Sequence, residues 1–324
     1  MGGETNLRAL ITGAAGFVGG HLSRYLLRQG FTVAGLVLPQ EARRGLESLP
    51  EEVEVIEGDI LEAEKLARTV ADWKPLEIYH LAAFSNPQGS WAQSRRTLET
   101  NILGSHNLLQ AAVETGDDPK VLLVGSSQQY GHVAEQDQPI REELLQRPLT
   151  PYAVSKASQE ILGLRFFLSE QLPVFMVRSF NHTGPGQASS YVCSSFARQV
   201  AEIEARLREP KIEVGNLSAR RDFSDVRDVV RAYAAVVETG NPGEPYNVCC
   251  GEAFAIRLIL DALLELTETD VAVEIDATRY HALDAPLILG DNSRLRYELG
   301  WEPLFSLKQT LSDLLGYWRT QLKK

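Results

Sequence analysis

Short apolar runs alternate with longer segments of helical spacing along the first 180 residues of the chain. The apolar runs are rich in Val, Ile and Leu and lack a strict polar alternation. They are "LRALIT" (7–12), "FTVAGLVL" (31–38), "EVEVIEG" (52–58), "EIYHLAA" (77–83), "KVLLVGS" (120–126) and "PVFMVRSF" (173–180). Between them, segments such as "LETNILGSHNLLQAAVETG" place apolar residues three and four positions apart. Strands of this kind separated by helices predict a parallel sheet covered on both faces, which is a doubly wound α/β fold.

This rhythm ends after Phe180. From "NHTGPGQ" onward the sequence has Gly/Pro loops, short strands such as "KIEVGN" and isolated helices. We therefore predict a first domain over residues 1–180 and a smaller substrate-binding part over residues 181–324. Segments near 225–250 are expected to return to the first domain.

Composition and charge disfavour several classes of function. The chain has 324 residues, of which 44% are hydrophobic, and a formal net charge of -11. This acidity disfavours nucleic acid and anionic membranes as partners. No apolar run reaches the roughly 18 residues of a membrane span, and no secretion signal is recognisable. Cys193, Cys249 and Cys250 have no metal-ligand spacing, so we expect no metal site and a location in the reducing cytoplasm.

The segment "ALITGAAGFVGGHL" predicts a strand, a glycine-rich turn and a helix. Gly13 permits the tight turn, Gly16 lets backbone N–H groups approach a diphosphate, and Gly19 allows close packing of the helix on the sheet. The same glycines would also suit a plain strand-to-helix turn. Their position between a strand and a helix favours a dinucleotide site.

The end of the second strand bears on the type of dinucleotide. Leu38 and Pro39 stand where an acidic residue would bind the adenosine ribose, and Arg43 and Arg44 follow. This pattern favours NADP over NAD, although two arginines on a solvated face would look the same. Asp59, after the third strand, would hold the adenine amino group or cap the following helix.

A Tyr-x-x-x-Lys pair follows the fifth strand. Tyr152 and Lys156 in "TPYAVSKAS" lie one turn apart on one face of a predicted helix, and Ser126 ends the strand before them. A lysine ammonium beside a phenol stabilises the phenolate, which suits the tyrosine to proton transfer.

These motifs resemble the extended short-chain dehydrogenase/reductase family over essentially the whole chain. "TGAAGFVG", "GDI", "HLAA", "NILGSHNLL", "PYAVSKAS", "NHTGPGQ" and "YNVCCG" occur in that family's order. The resemblance implies a Rossmann domain that binds NAD(P) and a Ser126, Tyr152 and Lys156 triad that acts on a nucleotide-sugar. It also implies cofactor contacts at Tyr152 and Lys156, at Gly13, Gly16 and Gly19, at Arg43 and Asp59, and at Phe17, Val18, Ile60, Leu81, Ala82, Ala83 and Asn101.

Within the family, the chain resembles the branch that acts on GDP-mannose derivatives. The 4,6-dehydratases of that branch carry Glu two residues before the tyrosine of the "GSSQQYG" loop, and Gln128 stands at that position here. An amide orients a hydroxyl but has no basicity to remove the C5 proton of a sugar. If Gln128 faces the sugar and not only water, the resemblance implies NAD(P)H-dependent reduction of a 4-keto-6-deoxy nucleotide-sugar. GDP-4-keto-6-deoxy-mannose would then give GDP-rhamnose.

The resemblance also implies a set of substrate contacts. Asn181 would bind the sugar or diphosphate, or stabilise its Gly/Pro loop, and Arg221 would grip the diphosphate. One departure from the family concerns the nucleotide, because His281 stands where relatives have arginine. The implied contacts are Ser85, Gln128, Asn181, Asn216, Arg221, Arg279 and Asp284.

Two other classes of function remain open at this point. A nucleotide-sugar 4-epimerase would use the same triad with a tightly held cofactor. A non-enzymatic dinucleotide-sensing protein would need the glycine loop but not the triad, so the intact triad disfavours it. By analogy with the family, we expect a homodimer that forms through the helices holding residues 97–115 and 152–170.

Overall fold

The computed structural model describes residues 7–40, 46–85, 89–276 and 285–323. Its strands are β1 (Arg8–Thr12), β2 (Thr32–Val37), β3 (Glu54–Glu57), β4 (Glu77–His80), β5 (Lys120–Ser126), β6 (Val174–Ser179), β7 (Asn181–Thr183), β8 (Lys211–Val214), β9 (Arg220–Asp225), β10 (Pro245–Val248), β11 (Ala253–Ala255), β12 (Ala272–Ile275) and β13 (Leu287–Ile288). Its α-helices are α1 (Phe17–Arg28), α2 (Ala63–Trp73), α3 (Gly89–Ala92), α4 (Ser94–Leu98), α5 (Gly104–Glu114), α6 (Pro151–Glu170), α7 (Val192–Glu204), α8 (Val226–Thr239), α9 (Ile256–Leu264), α10 (Ser293–Leu299) and α11 (Leu307–Gln321). A π-helical turn (Glu99–Leu103) precedes α5, and 3₁₀ turns cover Leu46–Ser48, Ser127–Tyr130 and Glu135–Asp137.

Seven strands form one parallel sheet in the order β10-β6-β5-β4-β1-β2-β3. The chain leaves β1 toward β2 on one side and later returns to pair β4 on the other. Open α/β sheets bind their ligands at the carboxyl ends of the strands where the order reverses, which here is between β1 and β4. The doubly wound α/β fold that the apolar runs predict is confirmed.

The sheet is covered on both faces because its strands are apolar on both. Residues of α1 and α8, including Leu22, Val229 and Tyr233, form one core against it. Residues of α2, α5 and α6, including Val70 and Leu108, form the other core. Strand β10 adds to the sheet beside β6, so the segment from α8 to β10 belongs structurally with the first 180 residues.

The remaining elements form a smaller layer at the carboxyl edge of this sheet. Strand β9 pairs with β7, β11 and β13, and β8 pairs with β12. Helices α7, α9 and α11 pack around a separate core that includes Phe196, Leu260 and Leu314. Across the part of the chain that the structure describes, none of the helices combines the length and apolar character that crossing a bilayer demands.

Candidate active site

The glycine loop between β1 and α1 has the backbone that a bound diphosphate needs. Gly13 has φ +70°, and a Cβ there would lie 2.8 Å from the backbone nitrogen of Ala82. A Cβ on Gly19 would overlap the carbonyl oxygens of Gly13 and Ala14. Gly16 is the N-cap of α1 and has no side chain to cap it, so the first N–H groups, from Phe17 onward, stay available to an anion. The loop therefore fits a dinucleotide.

The structure describes most of the other predicted cofactor residues. Leu81, Ala82 and Ala83 follow β4 at the carboxyl edge, and Ser85, a predicted substrate contact, ends the same described segment. Asp59 Oδ1 accepts a hydrogen bond from the backbone N–H of Leu61 at 2.9 Å, which is a local turn contact. Ile60 is buried, and its side chain would meet a Cβ on Gly104. Arg43 and Arg44 lie outside the described residues.

The side chain of Asn101 forms hydrogen bonds within the protein. Its Oδ1 accepts from Phe84 N–H at 2.7 Å, and its Nδ2 donates to Ser155 Oγ at 2.8 Å. The residue sits in the π-helical turn, a deviation that often marks functional sites. The side chain thus links the loop after β4 to helix α6, and its predicted contact with the cofactor remains a prediction.

Ser126 and Tyr152 meet where β5 ends and α6 begins. Thr150 caps α6 by accepting from Ala153 N–H at 3.0 Å, and Pro151 occupies the first turn, so Tyr152 lies at the very start of the helix. Burial raises the pKa of Tyr152 to about 12, and the hydrogen bond that it shares with the Ser126 side chain opposes this. The phenol is therefore held protonated beside the serine hydroxyl.

Lys156 lies one turn further along α6 and is only 3% exposed. Its Nζ donates to the carbonyl of Val124 at 2.8 Å and to Oε1 of Gln159 at 2.9 Å. Burial lowers its pKa to about 7. Two of its three N–H groups are thus engaged by the protein, and the residue titrates near neutral pH.

The loop after Ser126 separates its two glutamines. Gln128 is partly exposed, and its backbone N–H donates to Ser126 Oγ at 3.2 Å. Gln129 is fully buried, and its Oε1 accepts from the backbone N–H of Ser126 at 2.7 Å. Only Gln128 therefore has a side chain free to reach a substrate, while Gln129 fixes the end of β5.

The buried role of Gln129 and the ion pair behind it were not predicted from the sequence. Gln129 Nε2 donates to Glu160 on α6 at 2.8 Å, and Arg178 on β6 holds both oxygens of that carboxylate. Gly125 was the available signal, because a Cβ there would collide with Gln129 Oε1. The network joins the three elements that carry the triad and its support.

Two of the predicted substrate residues, Asn181 and Arg221, lie on paired strands of the smaller layer. Asn181 begins β7, which pairs with β9, and Arg221 lies in β9 close to the residue opposite Asn181. Arg221 is mostly buried, and its Nη1 donates to the carbonyl of Arg220 at 2.9 Å. Asn216 Oδ1 accepts from Ser218 N–H at 3.0 Å and therefore serves a local turn. Arg279, His281 and Asp284 lie outside the described residues.

Two further residues border the site. His182 Nδ1–H donates to the carbonyl of Phe180 at 3.0 Å, and its ring stacks on Phe17 with centroids 6.1 Å apart. It therefore joins the substrate loop to the glycine loop. Tyr191 is the N-cap residue of α7, and its phenol contributes to raising the pKa of Tyr152. The sequence gives no local signal for Tyr191, because only the fold brings it to the triad.

Comparisons with known proteins identify relatives over nearly the whole chain. A model of the GDP-mannose 4,6 dehydratase family matches residues 10–314. The GDP-6-deoxy-D-mannose reductase of Pseudomonas aeruginosa is 34% identical over 98% of this chain and 99% of its own length. The solved structure of RMD from Pseudomonas aeruginosa, complexed with NADPH, has a TM-score of 0.85 at 34% identity and covers 97% of this chain and 99% of that one. The UDP-glucose 4-epimerase of Thermotoga maritima, solved with UDP-glucose, has a TM-score of 0.87 at 26% identity over 97% and 99% of the two chains.

The family model spans nearly the whole chain, and the similarity to the reductase covers 98% of it. The chain therefore belongs to the GDP-mannose 4,6-dehydratase family of extended short-chain dehydrogenase/reductases, and it is an NAD(P)-dependent oxidoreductase of that type.

Proposed function

We propose that this protein reduces the 4-keto group of a nucleotide-linked 4-keto-6-deoxyhexose, with GDP-4-keto-6-deoxy-mannose as substrate and GDP-rhamnose as product. The observation that carries the proposal is the pairing of an intact Ser126 and Tyr152 hydrogen bond with an amide, Gln128, beside it. The triad suffices for reduction of a ketone, and the amide supplies no base for dehydration. The similarity to a GDP-6-deoxy-D-mannose reductase supports the same reaction.

The residues of the site divide the chemistry between them. When bound, NADPH supplies the hydride that adds to the carbonyl carbon of the sugar. Tyr152 donates its phenolic proton to the carbonyl oxygen, and Ser126 Oγ donates a hydrogen bond to the same oxygen. The Lys156 ammonium stabilises the phenolate that remains on Tyr152. Solvent then returns the proton to Tyr152.

NADP(H) is the proposed cofactor, with NAD(H) as the alternative. The absence of an acid at Leu38 and Pro39 favours NADP(H), and a structural relative is complexed with NADPH. We expect NADPH to be used at least as well as NADH. A kinetic comparison that shows a strong preference for NADH would contradict this.

A second candidate function is a nucleotide-sugar 4-epimerase. The similarity in fold to a UDP-glucose 4-epimerase favours it, since the same triad serves both reactions. An epimerase would retain oxidised cofactor through purification and would consume none. A reductase would oxidise one added NADPH for each ketone reduced.

Two reactions test the proposal. In the first, enzyme and NADPH are incubated with GDP-4-keto-6-deoxy-mannose; in the second, enzyme and NADP⁺ are incubated with GDP-mannose. Cofactor absorbance and product mass are followed in both. We expect NADPH oxidation and a product two mass units heavier in the first, and no change in the second. Loss of water from GDP-mannose would refute the interpretation of Gln128. Turnover of only a dTDP- or UDP-linked ketosugar would refute the proposal that the substrate carries GDP.

We also propose that the protein is a homodimer. Helix α6 exposes Val154, Ile161, Leu164 and Leu168, whose spacing of seven, three and four places them along one face. Leu103, at the end of the π-helical turn, is also exposed. An apolar helical face of this kind on a globular protein marks an interaction surface, and a second copy presents the matching face.

A further inference from the structure

Gln159 lies on α6 three residues after Lys156 and is 1% exposed. Its Oε1 accepts from Lys156 Nζ at 2.9 Å, and the carbonyl of Val124 accepts from the same nitrogen at 2.8 Å. An ammonium has three donors and no acceptor, so these two bonds leave one N–H for the active site. The side chain of Gln159 therefore determines part of the orientation of Lys156.

The other end of the Gln159 amide is unusual. Its Nε2 is buried and has no hydrogen-bond partner within the described part of the chain. It borders a gap between α6 and the strands β5 and β6 that is too narrow to admit a water molecule. A buried donor without a partner is unfavourable, so the orientation of the amide must be held by its other end. Rotating the amide would aim Nε2 at Lys156 and set two donors against each other.

We propose that Gln159 is a positioning residue for Lys156, which it holds in the ammonium form through Oε1 so that the third N–H is left for the ribose of a bound dinucleotide. The inference rests on the proposed role of Lys156 in binding cofactor. It does not depend on which sugar is reduced.

None of the titratable groups named below stabilises the Lys156 ammonium in place of Gln159. On α6 itself, Tyr152 is protonated, and both carboxylate oxygens of Glu160 are held by Arg178 of β6. From β4, His80 is fully buried, and burial together with Lys156 lowers its pKa to about 3, so it is neutral. Burial is what lowers the pKa of Lys156. The hydrogen bonds that Lys156 donates to Gln159 and to the carbonyl of Val124 therefore oppose the lowering of its pKa by burial.

The test measures NADPH affinity against pH without any sugar present. A bound dinucleotide stabilises the ammonium, so the dissociation constant for NADPH should begin to rise as pH passes the pKa of Lys156 in the free enzyme. We call the pH at which this rise begins the break. Gln159→Met keeps the length of the side chain and removes the acceptor, which should move this break about one pH unit lower, the size expected for one lost hydrogen bond to a charge. Gln159→Glu adds a carboxylate and should move it at least one unit higher.

Two control variants complete the experiment. Lys156→Met should abolish the break, which assigns it to Lys156. Gln199→Met removes another buried glutamine, which hydrogen-bonds the backbone of Glu213 on β8, and it should change stability without moving the break. An unchanged break in Gln159→Met, or shifts of the same sign in the Met and Glu variants, would overturn the proposal. Failure of the sugar assay would leave this titration unaffected, so the two ideas are tested separately.

Discussion

Arg178 on β6 binds both carboxylate oxygens of Glu160 on α6, through Nε at 2.9 Å and Nη2 at 2.6 Å. The same carboxylate accepts from Gln129 Nε2, whose Oε1 in turn accepts from Ser126 N–H. A buried ion pair is strongly destabilising when one partner is lost, because the other charge stays buried. The hydrogen bonds through Gln129, Glu160 and Arg178 therefore hold the end of β5 in place, and the position of Ser126 depends on them.

Replacing Gln129 tests this dependence. Gln129→Leu leaves the buried Ser126 N–H without its acceptor and removes one donor to Glu160, so we expect a loss of about 2 kcal/mol in the free energy of unfolding. Turnover should fall by about tenfold, because the serine hydroxyl loses its fixed position. Gln128→Leu is the matched control, since that side chain is partly exposed; it should raise the substrate KM and leave the unfolding free energy within about 0.5 kcal/mol. Equal stability losses in the two variants would contradict the assignment.

Tyr152→Phe tests proton donation. The substitution removes the phenol that shares a hydrogen bond with Ser126, and a lost general acid lowers turnover by about two to four orders of magnitude. Cofactor affinity should change little, because the ring remains in place. Steady-state kinetics and an NADPH binding titration measure the two quantities, and near-normal turnover would remove Tyr152 from the mechanism.

How much of this site was predictable from sequence depends on the range of each contact. The glycine loop and the Tyr152 and Lys156 pair are local patterns, in which spacing alone fixes the geometry. Arg178 has no such signal: its partners Glu160 and Tyr130 lie 18 and 48 residues away and are brought together only by the sheet. The two glutamines of the "SSQQY" turn are identical in type, and only the 3₁₀ geometry turns Gln129 inward and leaves Gln128 at the surface.

The pKa of Lys156 predicts the alkaline limb of activity. Burial lowers this pKa to about 7, so the fraction of ammonium falls as pH rises above that value. The pKa of Tyr152, about 12, lies too high to account for a loss of activity near neutral pH. We expect kcat/KM for NADPH to decline tenfold per pH unit above about pH 7. Lys156→Arg keeps a permanent charge and should flatten this limb even if it lowers the maximum. An unaltered limb in that variant would assign it to another group.

Arg221→Ala tests the proposed diphosphate clamp on the substrate. Arg221 lies in β9, beside the strand that begins with Asn181. Removing it should raise KM for the nucleotide-sugar by at least tenfold, since charge-assisted hydrogen bonds to phosphate are strong. The dissociation constant for NADPH should stay within about twofold. If the dissociation constant for NADPH rises more than KM for the nucleotide-sugar, Arg221 binds the cofactor and not the substrate, and the proposed role is wrong.

The exposed face of α6 predicts the oligomeric state. Ile161 and Leu168 are 65% and 69% exposed and lie two turns apart on the same side of the helix. If a second copy covers this face, Ile161→Glu with Leu168→Glu should convert a dimer into a monomer, because four carboxylates would be buried at the interface. Leu304→Glu is the matched control: Leu304 is 68% exposed but lies just before α11, far along the chain from this helix. Light scattering at several protein concentrations should give a monomer for the double variant and a dimer for the control and the parent protein. A parent protein that is monomeric at all concentrations would leave the α6 face without its proposed partner and would refute the dimer.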